Sequence, residues 1–193
     1  MKKYIAEALG TFCLALTVAL SIVGKLPIPT PLLAGLVLGL FVYSIGHISG
    51  THINPAVTVG AWSIKKIKGM DAVWYIVSQF IGAALALWLV SATVGVPVLV
   101  VSNSWTVGLA ELIGTFFFTF GVASVIYGKT PSQLSGVVVG GSLFLGICIA
   151  ALLGSNGVVN PAVALGIGSF SLMYLLAPIV GSVLGMQAYK LLA

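Results

Sequence analysis

The polar side chains best placed to do chemistry in this apolar chain lie in two identical copies of one motif. Asn54-Pro55-Ala56-Val57 returns as Asn160-Pro161-Ala162-Val163 about a hundred residues later, again within an apolar region. The side-chain oxygen of an asparagine can cap the first free N–H groups of a helix, and a proline suits the first helical position because it has no N–H. Each copy therefore predicts a helix start, with the asparagine NH2 group left to donate hydrogen bonds.

The helices that follow the two motifs are predicted to be too short to cross a membrane. Helix-compatible residues run to Lys66 after the first motif, which gives roughly 12 residues or ~18 Å, about half of a bilayer core. Residues 162–169 give a still shorter second helix. Short helices with irregular flanking backbone are tolerated at membrane depth only inside protein or beside a wet cavity. The alternative, two ordinary Asn-Pro turns between spans, leaves the duplication unexplained.

Two acidic side chains occupy equivalent places in the two halves of the chain. Glu7 lies in an Ala-Glu-Ala-Leu-Gly-Thr-Phe run, and Glu111 lies in the matching run Ala-Glu-Leu-Ile-Gly-Thr-Phe. Acids inside a membrane are functional candidates, so a proton-relay or ion-coupling role is one interpretation. We favour a structural interpretation, in which each carboxylate accepts hydrogen bonds from backbone N–H groups of the neighbouring motif loop.

The histidines and cysteines do not predict a metal site or a disulfide framework. His47 and His52 flank the first motif, with no third ligand near them in the sequence. We expect them to hydrogen-bond loop carbonyls, and His52 also to face the wet cavity. Cys13 and Cys148 fall inside apolar runs, where free cysteines act as small packing residues.

The composition predicts an all-α membrane protein. Of 193 residues, 60% are hydrophobic and 6% charged, whereas about 25% of residues are charged in an ordinary soluble protein. A signal peptide is the competing interpretation of the first apolar run, and it is opposed by Glu7 and by the resemblance of that run to an internal segment. We predict one domain, 1–193, with spans at 4–23, 32–48, 71–93, 105–127, 133–153 and 172–192.

The chain divides into two predicted repeats, 1–94 and 105–193, joined by an uncharged connector at 95–104. Each repeat holds three spans, an odd number, so the second repeat must be inverted relative to the first. Inverted repeats whose broken helices meet near the midplane are found in many transport proteins. Small residues recur at helical spacing in the spans, which predicts close approach of helix backbones.

The net charge of +5 is explained by membrane orientation. If both termini are cytoplasmic, seven of the eight lysines lie on the cytoplasmic side and only Lys25 lies outside. That asymmetry is the one expected of cytoplasmic loops in an integral membrane protein. Nucleic-acid binding therefore has no support from the basic balance.

The motifs together resemble those of the aquaporin, or major intrinsic protein, family. The resemblance is carried by the paired Asn-Pro-Ala motifs, the Gly-His-Ile-Ser-Gly run at 46–50 and the two Ala-Glu-x-x-Gly-Thr-Phe openings, and it covers nearly the whole chain. It implies a right-handed bundle of six tilted spans plus two re-entrant half-helices that meet end to end. It also implies one pore per subunit, a homotetramer, and passive passage of water or small uncharged solutes without any cofactor.

The residues also predict how such a pore would work. Two half-helices that meet at their N-termini direct the positive ends of their dipoles at the pore centre, which opposes cations and protons. The amides of Asn54 and Asn160 would donate hydrogen bonds to a passing water. Backbone carbonyls of the two loops would line the vestibules as acceptors, namely those of Gly50, Thr51, His52, Ile53, Asn156, Gly157, Val158 and Val159.

The outer filter departs from the family pattern, in which an arginine directly follows the second Asn-Pro-Ala. Val163 stands there, and the chain has no arginine. Ungapped spacing from the two motifs assigns the other filter positions to Ala34, Cys148 and Gly157. All four residues are small or apolar and uncharged, so we expect a wide, apolar constriction that admits glycerol-like or other small neutral solutes and excludes protons and cations less strictly.

Other functions stay open at this point. An apolar constriction could dewet and conduct poorly, and a chain of this fold could be mainly structural. An ion-coupled transporter would require Glu7 or Glu111 to face the pathway. No nucleophile or acid–base pair is recognisable, so catalysis is not expected.

Overall fold

The computed structural model describes residues 1–24, 27–99 and 101–193, and Lys25, predicted to lie on the outer side, falls outside these ranges. The described residues form helices and no strands. The helices are α1 (Lys2–Gly24), α2 (Thr30–Ser49), α3 (Pro55–Ser63), α4 (Gly69–Thr93), α5 (Trp105–Ile126), α6 (Ser135–Leu152), α7 (Pro161–Gly166) and α8 (Leu172–Leu192). A 3-10 turn, Ser132–Leu134, precedes α6.

Six helices in the described part of the chain are long and apolar enough to cross a membrane, namely α1, α2, α4, α5, α6 with its preceding turn, and α8. Side chains at the helix ends explain several of their bounds. The hydroxyl groups of Ser104 and Ser171 accept hydrogen bonds from the N–H groups of Val107 and Tyr174 in the first turns of α5 and α8. The predicted all-α membrane fold is confirmed.

The two short helices are shorter than the sequence predicted. α3 has 9 residues and α7 has 6, and both end in the same way. The backbone at Lys65 and at Gly168 is left-handed, with φ of 61° and 69°. The next N–H group then donates back across the last turn, from Lys66 to Ala61 and from Ser169 to the carbonyl of residue 164. This closing motif satisfies helix carbonyls and stops the helix.

Close helix crossings depend on glycine at equivalent places in the two halves. An added Cβ at Gly82 would overlap the carbonyl oxygen of Ala8 where α4 crosses α1, and one at Gly181 would overlap that of Leu112 where α8 crosses α5. The α2–α6 crossing is formed similarly by glycines at 35, 39, 136 and 140. The predicted close approach of the spans is confirmed at these crossings.

One end of the bundle carries most of the lysines, and we call it the lysine-rich end. The Lys3 ammonium forms a 2.8 Å ion pair with Asp71, which joins the start of α1 to the start of α4. The Gln187 side chain donates to the Ser63 carbonyl at 2.9 Å, which joins the end of α8 to the end of α3. The Lys66 ammonium lies over the Tyr127 ring at the end of α5.

Candidate functional site

Each motif asparagine caps its own short helix. The backbone of Asn54 and of Asn160 is extended, with φ of −159° and −150°. The Asn54 side-chain oxygen accepts from the Ala56 N–H at 2.8 Å. That of Asn160 accepts from the N–H groups of Ala162 at 3.0 Å and Val163 at 3.3 Å. Pro55 and Pro161, which directly follow the two asparagines, take the first helical position, as their missing N–H predicts.

The two motif loops are also bonded to each other. The Asn54 Nδ2 donates to the Val159 carbonyl at 3.0 Å, and the Asn160 Nδ2 donates to the Ile53 carbonyl at 3.0 Å. These reciprocal bonds place the N-termini of α3 and α7 side by side. An asparagine amide carries two N–H groups, so each keeps a second donor for which the described residues provide no acceptor.

The first loop is held by Glu7, whose side chain is fully buried. Its Oε1 accepts from the Ser49 hydroxyl at 2.7 Å and the His52 N–H at 2.9 Å. Its Oε2 accepts from the Ile53 N–H at 2.6 Å and the Gln79 amide at 2.7 Å. Both oxygens thus receive two donors, which satisfies loop groups that have no partner in regular structure.

The second loop is held by Glu111, which is also fully buried. Its carboxylate accepts from the Ser155 hydroxyl, from the Val158 N–H at 2.8 Å and from the Val159 N–H at 2.6 Å. The structure therefore places both acids where the favoured interpretation put them. Neither acid lines the two cavities described next.

The first cavity, which we call the apolar cavity, has a volume of about 180 Å³ and lies at the end of the bundle opposite the lysines. Ala34, Gly157 and Val163 line it, as does Asn160. Leu99 from the connector also reaches it. None of the described residues in its wall has a charged side chain.

Cys148, the filter position predicted on α6, does not line the apolar cavity. The face of α6 that lines the apolar cavity is formed by Leu143, Ile147 and Ala151, which are spaced four residues apart. Cys148 lies about 100° further around the helix and is only half-buried. Ungapped spacing fails here because the loop between α6 and Asn160 determines which α6 residue faces the cavity.

Gly157 must be glycine for two reasons. Its backbone is left-handed, with φ of 65°, and an added Cβ would lie 2.6 Å from the Ile147 carbonyl oxygen. Residues other than glycine rarely adopt that backbone conformation. The loop therefore packs directly against the backbone of α6 at this point.

The second cavity, which we call the polar cavity, has a volume of about 350 Å³ and lies at the lysine-rich end. Gly50, Thr51 and His52 line it, together with Lys66 and Tyr75. The His52 Nδ1 lies 3.1 Å from the Thr58 hydroxyl, and the His52 ring packs edge-on against Tyr75. His52 was predicted to hydrogen-bond a loop carbonyl, but its partner is the hydroxyl group of Thr58.

Six of the eight residues whose carbonyls were predicted to line the vestibules border one of the two cavities. Residues 156–158 line the apolar cavity and 50–52 line the polar cavity. Ile53 and Val159 line neither cavity, because both are fully buried and their carbonyls accept the asparagine amides. Their backbones are left-handed, with φ of 38° and 47°, a conformation that is costly for β-branched residues.

Sequence reasoning missed three polar side chains that hydrogen-bond the loops or Glu7, namely those of Tyr75, Tyr174 and Gln79. The Tyr75 hydroxyl donates to the Ser49 carbonyl at 2.7 Å, and the Tyr174 hydroxyl accepts from the Asn156 N–H at 3.3 Å. Gln79 was a detectable signal, since a polar residue inside an apolar span requires partners. His47 is exposed, and within the described ranges no three His, Cys, Asp or Glu side chains come together to hold a metal ion.

Comparison with known proteins agrees with this geometry. A family model described as "Major intrinsic protein" matches residues 1–189. The chain is 30% identical to Aquaporin NIP1-1 of Arabidopsis thaliana over 98% of its own length and 73% of the relative's. Its similarity to Aquaporin AqpM of Methanothermobacter thermautotrophicus is 40% identity, over 44% of each protein.

The fold is also found in a solved structure. The aquaglyceroporin from Plasmodium falciparum superposes with a TM-score of 0.79 at 23% identity, covering 98% of this chain and 95% of that one. The similarity at this identity concerns the fold alone. Together with the match of the family model over nearly the whole sequence, these observations establish that the chain belongs to the major intrinsic protein family.

Proposed function

We propose that the protein is a passive membrane channel for water and small uncharged solutes, without a catalytic role. The observation that carries this proposal is the junction of α3 and α7. Two asparagine amides lie there side by side, each with a spare donor, between a cavity at one end of the bundle and a cavity at the other. The family match and the relatives' names, which include aquaporins and a glycerol uptake facilitator-like protein, support the same class.

The selectivity would arise from two features of the path. The N-termini of α3 and α7 present positive dipole ends to the junction, which opposes cations, and the spare amide donors would bind the oxygen of a permeant. The filter would be formed by Ala34, Ile147 and Val163 with Gly157. Because none of these side chains is charged or polar, we infer a wide, apolar filter that passes glycerol-like solutes.

An ion-coupled transporter is less well supported. Coupling requires an acid that faces the pathway, whereas Glu7 and Glu111 are buried, accept hydrogen bonds from the loops, and line neither cavity. We therefore assign both acids a role in positioning the loops.

The architecture and orientation of the channel are also part of the proposal. The equivalent acids and the reciprocal asparagine bonds support two inverted repeats, 1–94 and 105–193, joined by the connector at 95–104. Location of both termini in the cytoplasm is supported by the lysines at one end of the bundle. A homotetramer with one pore per subunit is supported by family membership alone.

A permeability panel on proteoliposomes tests the function. Stopped-flow light scattering should show flux of water and of glycerol or urea through the unmodified protein. In Val163→Arg, a long cationic side chain would enter the apolar cavity, and glycerol flux should fall by roughly tenfold or more, about 1.4 kcal/mol at the barrier, while water flux is retained. Val163→Leu is the control for added volume without charge.

The outcomes separate the alternatives. Water flux without any solute flux in the unmodified protein would overturn the wide filter. Absence of all flux from folded protein would favour a structural role. Unchanged glycerol flux in Val163→Arg would show that residue 163 does not face the path.

A further inference from the structure

The turn between α3 and α4 carries three lysines that form no ion pair within the described residues. The chain has only three acids. Asp71 is engaged by the Lys3 ammonium at 2.8 Å and the Tyr4 hydroxyl at 2.8 Å. The other two acids are buried against the motif loops, as described above. Within the described residues Lys65, Lys66 and Lys68 therefore form no ion pair, and only Lys68 lies close enough to Asp71 for an electrostatic attraction.

These lysines surround a pocket. Together with Trp62 and Ile67 they line an open recess of about 470 Å³ at the lysine-rich end. The Trp62 side chain is 55% exposed, and tryptophan is enriched where a membrane meets water. To orient the protein in a membrane, lysines need only lie near the end of a span. Orientation therefore does not explain why these three lysines line one pocket together with a tryptophan.

The pocket opens beside a surface suited to acyl chains. α4 begins directly after Lys68, and its first turns expose the side chains of Met70, Val73 and Trp74. A ligand that satisfies both surfaces has an anionic head and an apolar tail. Free phosphate would satisfy only the first.

One lysine connects this pocket to the proposed conduction path. Lys66 and Ile67 line the surface pocket and also the polar cavity. The Lys66 ammonium lies 4.5 Å from the centre of the Tyr127 ring, within the range of a cation–π contact. A phosphate group in the surface pocket would compete with that ring for the ammonium.

We propose that the pocket formed by Trp62, Lys65, Lys66 and Lys68 binds the headgroup of an anionic phospholipid, and that the bound headgroup draws Lys66 away from the mouth of the polar cavity. Binding is independent of conduction. The second step rests on the proposed channel function, and it raises flux because the mouth widens.

Binding is tested by native mass spectrometry of the purified protein titrated with short-chain phosphatidylglycerol. A juxtamembrane lysine contributes about fivefold to anionic-lipid affinity, so Lys65→Gln/Lys68→Gln should lose about 25-fold. Lys129→Gln/Lys190→Gln removes the same charge at the same end but outside the pocket, where attraction to the headgroup is weakened by distance, and should lose no more than about fivefold. Equal losses in the two double variants would overturn the proposal, and so would equal binding of phosphatidylcholine or full competition by inorganic phosphate.

Coupling is tested by stopped-flow measurements in vesicles of phosphatidylcholine alone and of phosphatidylcholine mixed with phosphatidylglycerol. Flux through the unmodified protein should rise in the mixed vesicles, and Lys66→Gln should remove the difference between the two lipids. Equal flux in both lipids, with binding intact, would overturn the coupling step. Absence of flux in both lipids, with binding intact, would refute the channel function and leave the lipid site standing.

Discussion

Glu7 and Glu111 show at the scale of single residues how irregular chain is kept inside a membrane. A peptide N–H that faces neither water nor a regular partner is costly to bury. Each carboxylate resolves this for two consecutive N–H groups, 52–53 in one loop and 158–159 in the other. The two halves differ in one donor. In the first half the Gln79 amide donates to Glu7, whereas the equivalent position in the second half is occupied by Pro178, which has no side-chain donor.

This difference predicts unequal effects of the same substitution. In Glu7→Gln, the new NH2 group would face two donors in place of Oε1, and in place of Oε2 it would face the Ile53 N–H and the Gln79 amide unless that amide turns over and gives up its bond to the Thr58 hydroxyl. The unfolding free energy should therefore fall by about 1–3 kcal/mol. In Glu111→Gln, the NH2 group can take the place of Oε2, for which the described residues show one hydrogen bond, from the Val159 N–H, so the loss should be smaller. Thermal unfolding of the purified variants in detergent measures both. Equal losses would mean that Gln79 contributes nothing to holding the first loop.

Glycine determines at the scale of helices how closely the spans can pack. Lipid provides no hydrophobic drive for helix association, so contact between backbones becomes the main source of packing energy. At Gly82 the atom that an added methyl group would meet is the backbone carbonyl oxygen of Ala8, which cannot rotate away as a side chain could. At Gly141 in α6 no described residue packed against the helix comes within 4 Å of that position.

These two glycines provide a matched pair of substitutions. Gly82→Ala should separate α4 from α1 and lower the unfolding free energy by about 1–3 kcal/mol. Gly141→Ala should be neutral or stabilising by up to about 1 kcal/mol, because alanine favours helix over glycine. Thermal unfolding in detergent tests both variants. A Gly82→Ala protein as stable as Gly141→Ala would show that the crossing is looser than described.

The two halves of the whole molecule share a loop scaffold and differ in what they expose around it. Two residues before the motif asparagine stands His52 in one half and Val158 in the other; four residues after it stand Thr58 and Ala164. One end of the bundle therefore has a cavity with a histidine, a lysine and hydroxyl groups, and the other end has an apolar cavity. A permeant would be bound by different chemistry on entering from each side.

The orientation of this asymmetric molecule is predicted by its lysines. With Cys13 and Cys148 first replaced by alanine, Asn103→Cys in the connector should react with a membrane-impermeant maleimide in intact cells. Ser132→Cys lies in the turn after Lys129, at the lysine-rich end, and should react only after permeabilisation, because lysines concentrate on the cytoplasmic side. Labelling of Ser132→Cys alone in intact cells would reverse the orientation.

The sequence by itself determined the features that depend on local chemistry. Apolar runs long enough to cross a bilayer predicted six spans, and six such helices are present in the described ranges. Asn54 and Asn160 cap helices as their residue type predicts, because a cap involves atoms only two or three residues away. The equivalent positions of Glu7 and Glu111 were visible because a duplicated pattern can be detected without knowing the fold.

Only the tertiary structure decided which distant residues meet. That Ile147, and not Cys148, lines the apolar cavity depends on the path of a loop, since one residue of slippage turns a helix face by about 100°. The reciprocal bonds of the asparagine amides join residues more than a hundred positions apart. The Lys66 ammonium lies over the Tyr127 ring only because the end of α5 packs beside the α3–α4 turn. Such contacts depend on the placement of whole helices, which no local pattern in the sequence specifies.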